Sequence, residues 1–357
     1  MAKQRKLTVA SSEVPSDQTD YAAYADISGL GITYGEVRVY KSDGTTEVAR
    51  EVNDAGELHW LCDGVLSSST DTEYWMHYDN GLSDYAEDAT YGREAVWSNA
   101  GSGSGYVLVA HLHEDPSGSA PQMLDSTSND SDGTSAGSMT AGDSVSGKLA
   151  GNALDFDGTS DYIAFANESL YDFGTAEFTL SLWFKHSATG RMNMAGKTAT
   201  SEFQYAIEQG SSGKLLSHID KADGNSVVGG QSAGTGWNNS AWHHVATVWD
   251  TTDPETGQQY LDGSLNGDSN YGSPGTYDYN TDGPGKLSIG YRERTPALYY
   301  TGQLDEVRAY SGSLSADWIA TEHSNQDDVG TFITVGAEEE VSSGGASAYY
   351  YKNLLSG

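Results

Sequence analysis

Apolar and polar residues alternate in short runs along almost the whole of this 357-residue chain, and helical periodicity is nearly absent. A period of two sends successive side chains to opposite faces of a strand, so each run reads as a half-buried strand. Between the runs lie Ser, Thr, Asn, Asp and many of the 43 glycines, the residues that turns require. Short strands broken by turn residues belong to antiparallel sandwiches. The fold class is therefore all-β, and the length suggests two domains.

The first region, 4–98, holds candidate strands at 5–10, 21–27, 36–41, 47–52, 57–62 and 73–78. Ser42-Asp43-Gly44-Thr45 between two of them reads as a hairpin turn. The single cysteine, Cys62, excludes a disulfide within the chain, and its neighbours His59-Trp60-Leu61 suggest a buried thiol. Small residues at 99–105 read as a linker. In 177–185, Phe178, Leu180, Leu182 and Phe184 share one face and are read as core. Trp183 takes the other face, open to a ligand on the concave sheet or to a subunit contact. Ser315 is placed to cap a short helix.

Four blocks in the second half carry a resemblance. They are Ala153-Leu154-Asp155-Phe156-Asp157-Gly158-Thr159-Ser160-Asp161-Tyr162-Ile163, Glu177-Phe178-Thr179-Leu180-Ser181-Leu182-Trp183-Phe184-Lys185, Trp242-His243-His244-Val245-Ala246-Thr247-Val248, and Gly302-Gln303-Leu304-Asp305-Glu306-Val307-Arg308-Ala309-Tyr310. In this order the chain resembles the LamG-like, or concanavalin A-like, jelly-roll family, most of whose members bind glycans or proteins. The resemblance implies a LamG-like jelly roll over 106–326; an N-terminal β-sandwich at 4–98 precedes it and a last strand and tail follow over 327–357. The strand expected at 330–337 docks back on the sandwich. The aromatic end, Tyr349-Tyr350-Tyr351, reads as a docking peptide for a partner or as a packed terminus. The first region resembles a small β-domain that precedes LamG-like domains in bacterial, archaeal and viral surface proteins. Arg5-Lys6-Leu7-Thr8-Val9, Val37-Arg38-Val39-Tyr40-Lys41 and Glu73-Tyr74-Trp75-Met76-His77-Tyr78 carry that likeness, while Ala22 stands where the pattern has proline.

Asp and Glu number 51 against 18 Lys and Arg, a formal charge of −33 spread along the chain. Dispersed acid with little lysine suits a high-salt environment, where self-repulsion is screened. The same charge excludes nucleic acid and anionic membrane as natural partners. No apolar run is long enough to span a membrane. Leu7-Thr8-Val9-Ala10 is too short for a signal core, so no export signal is expected.

Polysaccharide-cleaving relatives of this sandwich carry a row of acids on one strand, and no such row exists here, so the chain reads as a non-enzyme. Two histidine pairs, His243-His244 and His111/His113, lack a readable third ligand. The family resemblance points to calcium, with Asp157, Asp161 and Asp305 at the matching positions. For glycans, aromatics in Gly/Asn-rich loops are the candidates: Trp237, Tyr271, Tyr277, Tyr279, Tyr291, Tyr299 and Tyr300. The same tyrosines suit a protein interface. The function expected is a virion structural protein (tail fibre, spike or capsid-surface protein) of a virus infecting a halophilic host. It would assemble with itself and other virion proteins and present the module to host-surface glycan or glycoprotein. The alternative is a non-catalytic glycan-binding protein, secreted or on the cell surface of a halophilic microbe.

Overall fold

A computed structural model describes residues 2–101, 105–174, 176–199, 203–220, 227–249, 257–267, 269–272, 285–294 and 297–341. The chain divides into two compact units, one of residues 1–103 with 324–357 and the other of residues 104–323. The boundary falls inside the helix Ala316–Asp327, which Ser315 caps by accepting from the Trp318 N–H at 3.1 Å.

In the first unit, one sheet runs Ile333–Val335, Lys3–Val9, Thr72–Tyr78, Arg38–Lys41, Glu47–Val48. A second sheet joins Gln18–Asp26, Glu57–Leu66 and Arg50–Val52. Trp60 of the second sheet meets Tyr74 of the first edge-on at 5.7 Å, and both are buried. The expected hairpin turn is present: Asp43 Oδ1 accepts from the N–H groups of Thr45 and Thr46, and Gly44 supplies the left-handed residue at φ 69°. Cys62 is fully buried, which pushes its thiol up to about 12.

The strand expected to close the jelly roll belongs elsewhere. Ile333–Val335 pairs antiparallel with Lys3–Val9, in the register Leu7↔Val335 and Val9↔Ile333. The physical reason lies in charge as well as pattern. The basic start of the chain meets the acidic end of this segment, Lys3 Nζ lying 3.0 Å from Glu338 and 3.4 Å from Asp79. Arg5 Nη1 donates to the Gly336 carbonyl. The first unit is thus assembled from both ends of the sequence. The docking peptide expected around Tyr349–Tyr351 lies outside the described residues.

The second unit is a sandwich of two eight-stranded sheets. The first contains, side by side, Asn152–Asp157, Thr301–Tyr310, Phe178–Lys185 and His243–Trp249. These are strands of the four sequence blocks that carry the family resemblance. The second sheet runs Ser269–Gly272, Val227–Gln231, Leu215–Asp220, Phe203–Gln209, Met192–Thr198, Leu287–Ile289, Tyr162–Phe165, Gly133–Ala136. Phe178, Leu180, Leu182 and Phe184 enter the core between the sheets, as their alternation requires. Phe178 stacks on Phe173 at 4.2 Å and on Trp249 at 4.5 Å.

Trp183 is not an open aromatic. It is 1% exposed, stacked on His323 at 5.4 Å, beside His244 at 5.2 Å, with Lys148 Nζ 4.6 Å from its ring. The face it occupies is closed by the helix Ala316–Asp327 through a buried ion network. Arg308 donates to Glu306 at 2.6 Å and to Glu322 at 3.1 Å, and Tyr106 and Ser181 also donate to Glu322.

Replacing Phe178 with alanine removes the ring at the centre of the aromatic cluster. The expected cost is about 3–5 kcal/mol, read from urea unfolding monitored by tryptophan fluorescence.

Candidate ligand-binding face

The outward side of the second sheet carries a buried polar cluster, and its polarity follows from alternation. Tyr205 and Ile207 point into the core, so Gln204, Ala206 and Glu208 point outward. Register then sets Asn193 and Leu216 beside Glu208 on that face, with His218 one row away opposite Ala206.

Glu208 is fully buried, yet fully charged. Its Oε2 accepts from Arg191 Nε at 2.7 Å, its Oε1 from Arg292 Nη1 at 2.8 Å, and His218 Nε2 lies 3.6 Å away. Burial by itself favours the protonated carboxyl, but His218, Arg292 and Arg191 outweigh it and bring Glu208 down to about 2. The three basic side chains differ in access: those of His218 and Arg292 are 1% and 7% exposed, that of Arg191 is 35% exposed. This cluster therefore reaches solvent through one arginine.

Beside it stands a row of three aromatic rings. Tyr291 and Arg292 form one arm of a hairpin whose other arm is Leu298–Tyr299. The Tyr291 ring lies 4.8 Å from that of Tyr299 and 4.8 Å from that of Tyr162, at interplanar angles near 30°. All three tyrosines are partly exposed. Asn193 Nδ2 donates to the Tyr291 carbonyl at 2.9 Å, tying the hairpin to the row that carries Glu208. Burial pushes the Tyr291 hydroxyl up to about 12, with the neighbouring Tyr299, Glu293 and Tyr162 adding to it, so it remains a hydrogen-bond donor at neutral pH. Tyr291 is packed between its two neighbours, so the outer rings of the row, Tyr162 and Tyr299, are the ones left to meet the apolar face of a sugar.

Of the seven aromatic candidates, the structure brings together Tyr291 and Tyr299. Tyr300, expected on an exposed loop, is fully buried: its ring packs edge-on to Phe156 at 6.2 Å and its hydroxyl donates to the Gln303 carbonyl. It alternates with Tyr299 and so takes the core side. Trp237 is half-buried, edge-on to His243 at 5.2 Å, with its N–H shared between Ser232 Oγ and the Gly234 carbonyl. Tyr271 lies in the Ser269–Gly272 strand, its side chain outside the described residues, as are Tyr277 and Tyr279. Tyr162, Asn193, Glu208 and the two arginines were missed. For Tyr162 a signal existed, since it alternates with the core residue Ile163.

The three acids expected to share calcium do not converge. Asp157 is a turn cap: its oxygens accept from the N–H groups of Thr159, Ser160 and Asp161 and from the hydroxyls of Thr159 and Ser160. These bonds overcome the effect of burial and hold its carboxyl well below the usual range. Asp161 accepts from Ser138 and from Ser160. Asp305 is four residues along the strand from Thr301, the partner of Asp157, or roughly 13 Å at strand spacing. Its carboxylate is occupied by the Lys148 and Glu306 N–H groups. The set does not fit one shared ion.

Residues 157–320 match the family model Laminin_G_3, described as the concanavalin A-like lectin/glucanases superfamily. No curated protein matches the chain. Among solved structures, the chain is similar to the binding domain of Paraclostridial Mosquitocidal Protein 1, with TM-score 0.45 and 11% identity over 61% of this chain and 51% of that one. It is also similar to the botulinum neurotoxin serotype C1 binding domain, with TM-score 0.45 and 9% identity over 62% of this chain and 52% of that one. The chain matches only about half the length of either structure.

Glu208 and Glu322 both have carboxyls near 2 in the folded state, against about 4.3 when unfolded. A lowered folded value stabilises the protein above the unfolded value and loses that contribution as pH falls through the folded one. Stability is therefore expected to decline from about pH 4.5 to pH 2 in thermal unfolding scans. Glu208→Gln should flatten part of this slope and cost about 3–5 kcal/mol at neutral pH, because it strands Arg292 without its counter-charge.

Over residues 157–320 the chain is thus similar to the concanavalin A-like lectin/glucanases superfamily, within an all-β protein.

Proposed function

We propose that the chain is a non-catalytic adhesion protein whose jelly roll binds glycans on the outer face of its second sheet. The observation that supports this most is the row Tyr162–Tyr291–Tyr299 set beside the Glu208 cluster, on a fold of lectin type. Catalysis by a carboxylate pair is disfavoured by the same geometry. The residues paired with Glu208 in the neighbouring strands are Asn193 and Leu216, neither an acid. Glu208 itself stays ionised at any ordinary pH and has no proton to give a leaving group.

Within this reading, the protein is a structural component of a virus particle that infects a halophilic host. It assembles with itself and with other virion proteins, and it presents the jelly roll to glycans or glycoproteins of the host envelope. The charge of −33 supports saline surroundings, and two β-units without a recognisable catalytic row suit a surface-display role. Mass spectrometry of density-banded particles from an infected culture tests the location. A fixed copy number per particle is the expected result; recovery only from cell envelope or medium would transfer the adhesion role to the host cell.

Binding is tested by titrating a panel of neutral and acidic oligosaccharides in calorimetry. Tyr299→Ala is expected to weaken whichever glycan binds by at least about tenfold, roughly 1.4 kcal/mol, with the melting temperature little changed. An unaltered affinity would remove the tyrosine row from the site.

A further inference from the structure

We infer that the sugar taken by this face carries a carboxylate, which seats on the outward edge of the Arg191 guanidinium. The inference rests on the glycan-binding reading and adds the chemical class of the ligand.

The guanidinium of Arg191 is used on one side only. Its hydrogen bond to Glu208 engages Nε, and Nη1 and Nη2 make no hydrogen bond among the described residues. With 35% of its side chain exposed, Arg191 reaches solvent. A guanidinium edge with two parallel N–H groups matches the two oxygens of a carboxylate, a fit that a lysine ammonium does not offer. Glu208 supports the arrangement from behind. Because it is fully buried and bonded to both Arg191 and Arg292, it fixes the orientation of the exposed guanidinium before any ligand arrives. Preorganisation of this kind lowers the entropy lost on binding.

The clustering of arginines also favours an anion. Arg191 and Arg294 both act on Arg292 electrostatically, so three arginines are gathered around Glu208. That gathering stands out on a chain with only 18 Lys and Arg and a formal charge of −33. In dilute buffer the overall negative field repels an anionic sugar. At molar salt the screening length falls to about 3 Å, which removes the distant repulsion and leaves contacts at hydrogen-bond distance. The tyrosine row supplies the second contact: Tyr291 touches both neighbours, so the partly exposed rings of Tyr162 and Tyr299 are the surfaces left for the apolar face of a sugar.

The test is calorimetric titration of the full chain in 1 M NaCl with four probes: oligogalacturonate, its methyl ester, sialyllactose, and a neutral galacto-oligosaccharide of matched length. At least one carboxylated probe is expected to bind ten or more times tighter than the uncharged ones. Arg191→Gln should abolish that preference, Arg191→Lys should keep only part of it, and Tyr299→Ala should weaken charged and uncharged probes alike. Thermal scans establish that each variant is folded. Equal affinity for acid and ester, unmoved by Arg191→Gln, would overturn the carboxylate inference and leave the glycan-binding reading in place. No binding of any probe by a folded protein would overturn both.

Discussion

Each sheet of the jelly roll carries a buried carboxylate on its outer side, and much of the architecture depends on how that charge is neutralised. Taking an ionised group out of water costs several kcal/mol unless partners surround it. On the first sheet, Glu322 comes from the covering helix and meets Arg308, Tyr106 and Ser181 from three strands. The helix is thereby held at one place on the strands, since any shift would leave Arg308 or Glu322 unpaired. On the second sheet, Glu208 is satisfied by Arg191 and Arg292. The two networks share a design and differ in access. The Glu306, Arg308 and Glu322 side chains are at most 4% exposed, whereas Arg191 reaches water. One network closes a face and the other leaves a charged edge available, which is why the candidate site lies on the second sheet.

The same asymmetry explains what was legible in the sequence. The four blocks with family character contribute neighbouring strands of the first sheet. Their long alternating runs and bulky core residues report a face packed against the opposite sheet, and this is enough to recognise the fold. The second sheet is built from runs with weaker signals. Gly196, Gly229 and Gly230 interrupt its strands, and Asn193 and Lys197 are buried polar groups that no hydrophobic pattern announces. Glu208 looks in sequence like any acid in an acidic chain. Its character comes from Arg191 and Arg292, and Arg292 is 84 residues away. Periodicity can place a side chain on a face, but it cannot say which distant charge will stand opposite.

Two departures from what the sequence suggests have different physical origins. Asp157, Asp161 and Asp305 were expected to hold an ion because they stand at matching positions of the family resemblance, and the segment after 330 was expected to be a jelly-roll strand because it follows that domain in sequence. In the structure Asp157 caps its own turn, using backbone and hydroxyl donors within four residues. Asp-Gly-Thr-Ser is a sequence that satisfies itself, so a metal is not needed to account for the carboxylate. The segment at 333–335 found its partner more than 320 residues earlier, where alternation and opposite charge agree. Local chemistry settled the first case and long-range complementarity the second.

An acidic surface constrains the form a binding site can take. A broad basic patch on this chain would be neutralised by the acids around it, and at high salt its long-range attraction would be screened away. A single guanidinium fixed from behind by a buried carboxylate avoids both problems. Its partner is part of the fold, so the orientation survives screening, and recognition relies on hydrogen-bond geometry at contact distance. Aromatic stacking is likewise insensitive to ionic strength. The Glu208–Arg191 pair and the tyrosine row are therefore the kinds of contact that keep working at high ionic strength. That match between site chemistry and surface charge links the −33 of the chain to the face proposed to bind its ligand.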